Sequence, residues 1–100
     1  MTISVQPAAL ADLRRGCHFY EKQGPGLGTY FLDTLASDID SLRLYAGIHT
    51  VHFEKFFRLL SKRFPFAVYY EVRNDTVFVR AVLDLRLNPD RIAEKLEKRK

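Results

Sequence analysis

The chain of 100 residues has a single cysteine, Cys17, so no internal disulfide and no cysteine-rich zinc site can be built from it. A reducing cytoplasm is the expected setting. No apolar run approaches the roughly 20 residues a membrane-spanning helix needs. The opening MTISVQPAALADLRR has no apolar core of signal-peptide length. A soluble, cytoplasmic protein with no membrane partner is therefore expected. There is no internal repeat and no low-complexity linker, and this length suits one compact domain spanning 1–100. What is present is apolar and aromatic: 47% hydrophobic residues, with eight Phe and five Tyr, enough for a real core. The 16 Lys and Arg against 12 Asp and Glu leave a net charge of +4, which permits an anionic partner without requiring one.

Periodicity divides the chain into elements. Ile3 and Val5 alternate with polar residues until Pro7, a short first strand. From Pro7 to about Gln23 the spacing of Leu10, Leu13, Cys17 and Tyr20 predicts one stripe of a helix, with Pro7 in its first turn. Gly24, Pro25, Gly26 and Gly28 break it. A second helix should then bury Phe31, Leu35, Ile39 and Leu42, leaving Asp33, Asp38 and Asp40 mostly on the other side. So short a break predicts an antiparallel helical hairpin. Past Ala46-Gly47 the chain turns β-branched and aromatic. Strands are expected at 53–60 and 64–72, the second interrupted near its start by Pro65, which cannot donate to a ladder. Asn74-Asp75 makes a tight turn into a last strand, on which Val77, Val79, Ala81 and Leu83 should face the helices. Residues 90–100 form a charged short helix or a flexible tail. The order is β-α-α-β-β-β-(α), an α+β class with a small, mainly antiparallel sheet and a helical hairpin on one face.

Three motifs carry no chemistry. The Gly24–Gly28 loop lacks the Lys and Ser/Thr of a phosphate-binding loop and follows a helix instead of a strand. His49 and His52, with Glu54 nearby, supply no evident third ligand for a metal. Cys17 lies on an apolar stripe and serves packing. No cofactor and no metal are expected. The basic residues are more informative. Arg58, Lys62, Arg63, Arg73, Arg80 and Arg86 gather in the β-rich half. If Val79 and Ala81 face the helices, Arg80 projects from the opposite face, where Arg58 and Tyr70 of neighbouring strands are expected beside it. Arginines among aromatics suit phosphates, stacked bases or partner carboxylates alike.

The stretch from Arg58 to Val72, with KRFPFAVYYEV at its centre, and the strand from Asp75 to Arg86 ending Ala81-Val82-Leu83-Asp84, resemble the RelE/ParE superfamily of toxins. These belong to type II toxin–antitoxin systems, often called plasmid stabilization proteins. Pro7-Ala8-Ala9, Tyr20 and the glycine turn before Phe31-Leu32 fit the same pattern, which covers residue 3 to about 92. The resemblance implies a cognate antitoxin whose C-terminal segment wraps the toxin. It also implies either of two targets: DNA gyrase in the ParE-like branch, or mRNA on the ribosome in the RelE-like branch.

Cutting RNA through its own 2′-OH needs a base, an acid for the leaving oxygen, and cations for the crowded phosphate. RelE-like nucleases often place a His or Tyr just after the last strand; here stand Asp84 and Arg86, and no His or Tyr follows Tyr70. An exposed Asp is a poor proton donor at neutral pH, and Arg hardly exchanges protons. The pattern therefore favours a ParE-like binding toxin over an enzyme. An endoribonuclease using Arg58, Tyr70, Arg80 and Arg86 is the alternative, and a divergent inactive member the third reading. Partner-binding residues are expected to be Arg58, Lys62, Arg63, Tyr70, Arg80 and Arg86.

Overall fold

A computed structural model describes residues 1–99; of the C-terminal segment, Lys100 lies outside the described residues. The elements run β1 (Thr2–Val5), α1 (Pro7–Gln23), α2 (Leu27–Asp40), α3 (Leu42–Tyr45), β2 (Thr50–His52), β3 (Phe56–Leu60), β4 (Phe66–Arg73), β5 (Thr76–Asp84) and α4 (Pro89–Glu97). Five strands form one sheet in the order β1-β5-β4-β3-β2. β1 lies parallel to β5 and every other pairing is antiparallel. The α+β class and the helical hairpin on one face are as the sequence predicts.

α1 and α2 cover one face of the sheet. Phe31, Leu35, Ile39 and Leu42 meet Val68, Tyr70, Val77, Val79 and Val82 there. Leu42 opens α3 instead of closing α2. The two helices approach closely at glycines: a Cβ on Gly28 would lie 2.8 Å from the Cys17 carbonyl oxygen, and one on Gly16 2.4 Å from the Phe31 ring. The glycine-rich break is closed from inside, because the Glu21 carboxylate accepts from the Gly26 and Gly28 N–H groups at 3.2 and 3.0 Å. On α1 the buried line is Ala9, Asp12 and Gly16, with Leu13, Cys17 and Tyr20 half-buried beside it. Leu10, expected on the stripe, is 41% exposed. Asp38, expected in solvent, is buried and accepts from Ser61 Oγ at 2.8 Å.

α4 covers the other face, seating Ile92 and Leu96 on Phe56, Ala67, Tyr69, Ala81 and Leu83. A sheet covered on both sides explains the unbroken apolar run Phe66-Ala67-Val68-Tyr69-Tyr70, every member of which is buried.

Two expectations about the strands are corrected. The strand expected over 53–60 starts three residues late: 53–55 form a turn into β3, and a three-residue β2 precedes that turn. Phe53 and Glu54 hold positive φ angles of 55° and 62° in that turn, which bulky residues rarely adopt, so no Gly or Asn announces it. The Asn74-Asp75 turn does form as its residues predict, with φ of 47° and 65°. The facing of β5 changes midway. Tyr70 pairs with Val79 but Tyr69 with Ala81, so Arg80 is an extra residue in a β-bulge. Val77 and Val79 face α1 and α2; beyond the bulge Val82 takes that side, and Ala81 and Leu83 turn to α4. The bulge falls where β1 ends, since Val5 is the last residue paired to β5. The Val82 N–H freed there donates to the buried Asp12 carboxylate at 2.9 Å.

Candidate functional site: the basic face of the sheet

Strand alternation places the candidate side chains. On β3, Phe56 and Arg58 share the α4 side, whereas Phe57 and Leu59 pack towards α1 and α2. Arg58 lies opposite Tyr69 across the β3–β4 pairing. His52, two strands from the sheet centre, is paired with Phe56 and therefore joins this face. Burial raises the Tyr69 pKa, with Arg58 opposing. The His52 pKa is lowered, first by burial and then by the Arg58 charge, and its Nε2 is buried without a hydrogen-bond partner.

One register step along β4 stands Glu71, only 7% exposed. It binds Arg80 Nε at 2.8 Å, Arg73 at 3.3 Å and Lys55 at 3.8 Å. The Arg80 guanidinium also lies 5.1 Å from the Phe78 ring centre. Burial would raise the Glu71 carboxyl, but the Arg80 hydrogen bond and the charges of Lys55, Arg80 and Arg73 outweigh it and hold the pKa below the usual value.

The expected residues thus fall into groups. Arg58 and Arg80 flank β4 on one face, Arg80 as the bulge residue bound to Glu71. Tyr70 is not beside them. It is fully buried on the opposite face, and its hydroxyl accepts from the Gly47 N–H at 2.9 Å and pairs with His49 Nδ1. Tyr69 takes the position expected for Tyr70, one residue away and so on the other side of the strand. Lys62 and Arg63 belong to the loop after β3. They border a depression against α2, where Arg63 reaches the Tyr30 hydroxyl at 3.1 Å. Arg86 follows β5 and grips Asp84, Nη2 to Oδ2 at 2.7 Å, with its guanidinium 5.9 Å from the Phe19 ring centre. This grip is the first cause of an Asp84 pKa below the ordinary value. Sequence reasoning missed Lys55 and Glu71, and weighed His52 only as a metal ligand. For Glu71 and Tyr69 a signal existed, since both share strand parity with Arg73; Lys55 and His52 depend on a turn the residues do not advertise.

No protein-family model matches the chain, and neither does any curated protein. Among solved structures it is similar to a chain of the chromosomal ParDE TA system from P. aeruginosa, with a TM-score of 0.79 over 86% of this chain and 97% of that one, at 17% identity. The protein has a ParE-like fold. The ParE-like sheet accounts for the placement of the basic face, since it brings β3, β4 and β5 side by side with their arginines on the α4 side. Among the described residues no helix is long and apolar enough to cross a membrane, and no cluster of three or more His, Cys, Asp or Glu could hold a metal.

Proposed function

We propose that this protein is the toxin of a type II toxin–antitoxin system, ParE-like in action, held silent by a cognate antitoxin in the cytoplasm and acting by binding DNA gyrase. The fold it shares with a ParDE chain supports the toxin reading. Binding in preference to catalysis is supported by one observation above others: the end of β5 presents Asp84, ionised and clamped by Arg86, where RNA cleavage would call for a proton donor. General acid–base help is worth about 10²–10⁴-fold in rate, so a site limited to arginines there is a weak nuclease at best. Arg58 and Arg80 would contact the antitoxin, and Lys62 and Arg63 beside α2 and Arg86 beside Phe19 would offer it further positive charge.

A specific arrangement favours a second reading, cleavage of ribosome-bound mRNA. His52, Arg58 and Tyr69 share a face with Arg80. A His52 kept neutral at pH 7 is a base, the Tyr69 hydroxyl is a donor, and two arginines can balance phosphate charge. α4 overlies part of this face, against that reading. Purified protein should inhibit gyrase supercoiling and leave mRNA intact in a translating ribosome system. Ribosome-dependent cleavage lost on His52→Ala or Tyr69→Phe would replace the first reading with the second. Inactivity in both assays would leave a divergent, inactive member.

A further inference from the structure

Between α3 and β3 the chain from Gly47 to Lys55 forms an arm along the outer edge of the sheet, and the short β2 is its paired part. Both ends of the arm turn on positive φ angles, 93° at Gly47 and 55° and 62° at Phe53 and Glu54. Glycine adopts such an angle freely, whereas Phe and Glu are strained in it and keep it only while the packed arm imposes it. The stretch from Leu44 to Phe53 contains no Asp, Glu, Lys or Arg. Its side chains that can change charge near neutral pH are therefore His49 and His52.

The two histidines hold the arm from opposite faces. On the α1–α2 side Tyr70 is fully buried, and its hydroxyl accepts from the Gly47 N–H at 2.9 Å and pairs with His49 Nδ1. Having accepted one hydrogen, the hydroxyl has its own proton to give, and a neutral His49 protonated at Nε2 receives it. A second proton, on Nδ1, turns that acceptor into a donor and leaves the Tyr70 proton without a partner among the described residues. On the α4 side His52 pairs with Phe56, and its Nε2 is buried without a hydrogen-bond partner. Charging that ring adds a cation facing Arg58. Burial alone lowers the His49 pKa, and α3 beside it carries one charged residue, Arg43, which is paired with Asp40. Near His52 stand Arg58 on β3, the neutral Tyr69 and Glu71 on β4, and Lys55, which binds Glu71. Glu97 of α4 lines the same cleft as Glu54 and Lys55. Of these only the Arg58 charge shifts His52, and it acts with burial to lower the pKa.

We propose that the arm from Gly47 to Lys55 is an acid-released latch, clamped to the sheet by neutral His49 and His52 and freed from β3 when they are protonated. Release relaxes Phe53 and Glu54 and uncovers the outer edge of β3 beside Arg58 of the basic face. A histidine whose pKa is lowered in the closed arm stabilises that arm in full above its ordinary value. The contribution is lost as pH falls towards the lowered one. The latch does not rest on the toxin reading.

The test is amide hydrogen exchange on the full ¹⁵N-labelled chain at about pH 7.5 and about pH 5.5, expressed as protection factors. Glu71 and Asp84, both held below the ordinary carboxylate value, stay ionised across that range. Protection at the Gly47 and Lys55 amides should fall at least about fivefold at the lower pH, while Val68 and Val79 in the middle of the sheet keep theirs. Ring ¹⁵N shifts at the higher pH should show His49 protonated at Nε2 alone. His49→Asn combined with His52→Gln keeps polar groups that do not titrate, so it should remove most of the pH response. The latch is overturned by equal protection at the two pH values, by an equal fall at Val68 and Val79, by a proton on His49 Nδ1 at the higher pH, or by a double variant that still responds. None of these outcomes bears on the toxin reading, which stands or falls on the gyrase and translation assays.

Discussion

Asp12 is a buried acid that ties three parts of the fold together. Its carboxylate joins α1 to the β5 backbone through Val82 and to the segment after α4 through Arg99, whose side chain is only 14% exposed. Asp12→Ala would strand a nearly buried guanidinium and an N–H group, so it should cost about 3–5 kcal/mol in urea unfolding. Arg99→Ala should cost less, because Arg15 and Val82 still hold the acid. Glu71 makes a different prediction. Its folded pKa is held below the usual carboxylate value by Arg80, Lys55 and Arg73 acting against burial. A depressed carboxyl contributes stability in full above the unfolded pKa and loses it as pH falls through the folded one. Unfolding measured from neutral pH down through this acid range should show stability dropping, and Glu71→Gln should make that drop shallower. An unchanged slope would mean that the three cations do not hold this carboxylate in solution.

Among the elements, the α1–α2 hairpin and α4 depend on different things. The hairpin depends on contact distance at Gly28, where an added methyl meets backbone at 2.8 Å and has no flexible neighbour to displace. Gly28→Ala should therefore destabilise by about 1–3 kcal/mol, as overpacking does. Gly24→Ala, whose new methyl would meet only the Leu27 side chain at 3.2 Å, should change little. α4 depends on two apolar residues. Leu96→Ala should cost about 2–5 kcal/mol by the usual measure for a buried leucine, read as a shift in the denaturant midpoint. If the midpoint stays while amide exchange along α4 accelerates, the helix undocks on its own and is not part of the cooperative unit.

For the whole molecule, the +4 charge matters through its distribution. Three cations of the sheet face are tied to Glu71, whereas Arg58 faces the Tyr69 phenol across the β3–β4 pairing. Arg58→Glu should consequently weaken an acidic antitoxin more than Arg73→Glu does, with the loss mainly in association rate and reduced at high salt. Equal effects of the two reversals in stopped-flow binding would move the contact off the β3 side of the face.

The amino-acid sequence by itself determined the α+β class, both ends of α1 and the Asn74-Asp75 turn. These follow from local rules: helical spacing, proline and glycine stops, and residues that tolerate positive φ. Tertiary structure decided the rest. The Phe53-Glu54 turn is held by its surroundings against the preference of its residues. The bulge at Arg80 reverses the second half of β5, because a strand losing its β1 neighbour is free to add a residue and meet Asp12. Tyr69 and Tyr70 show the difference most simply. The sequence sets them side by side, but the pleat sends one to Arg58 and buries the other against His49, and only the packed sheet determines which is which.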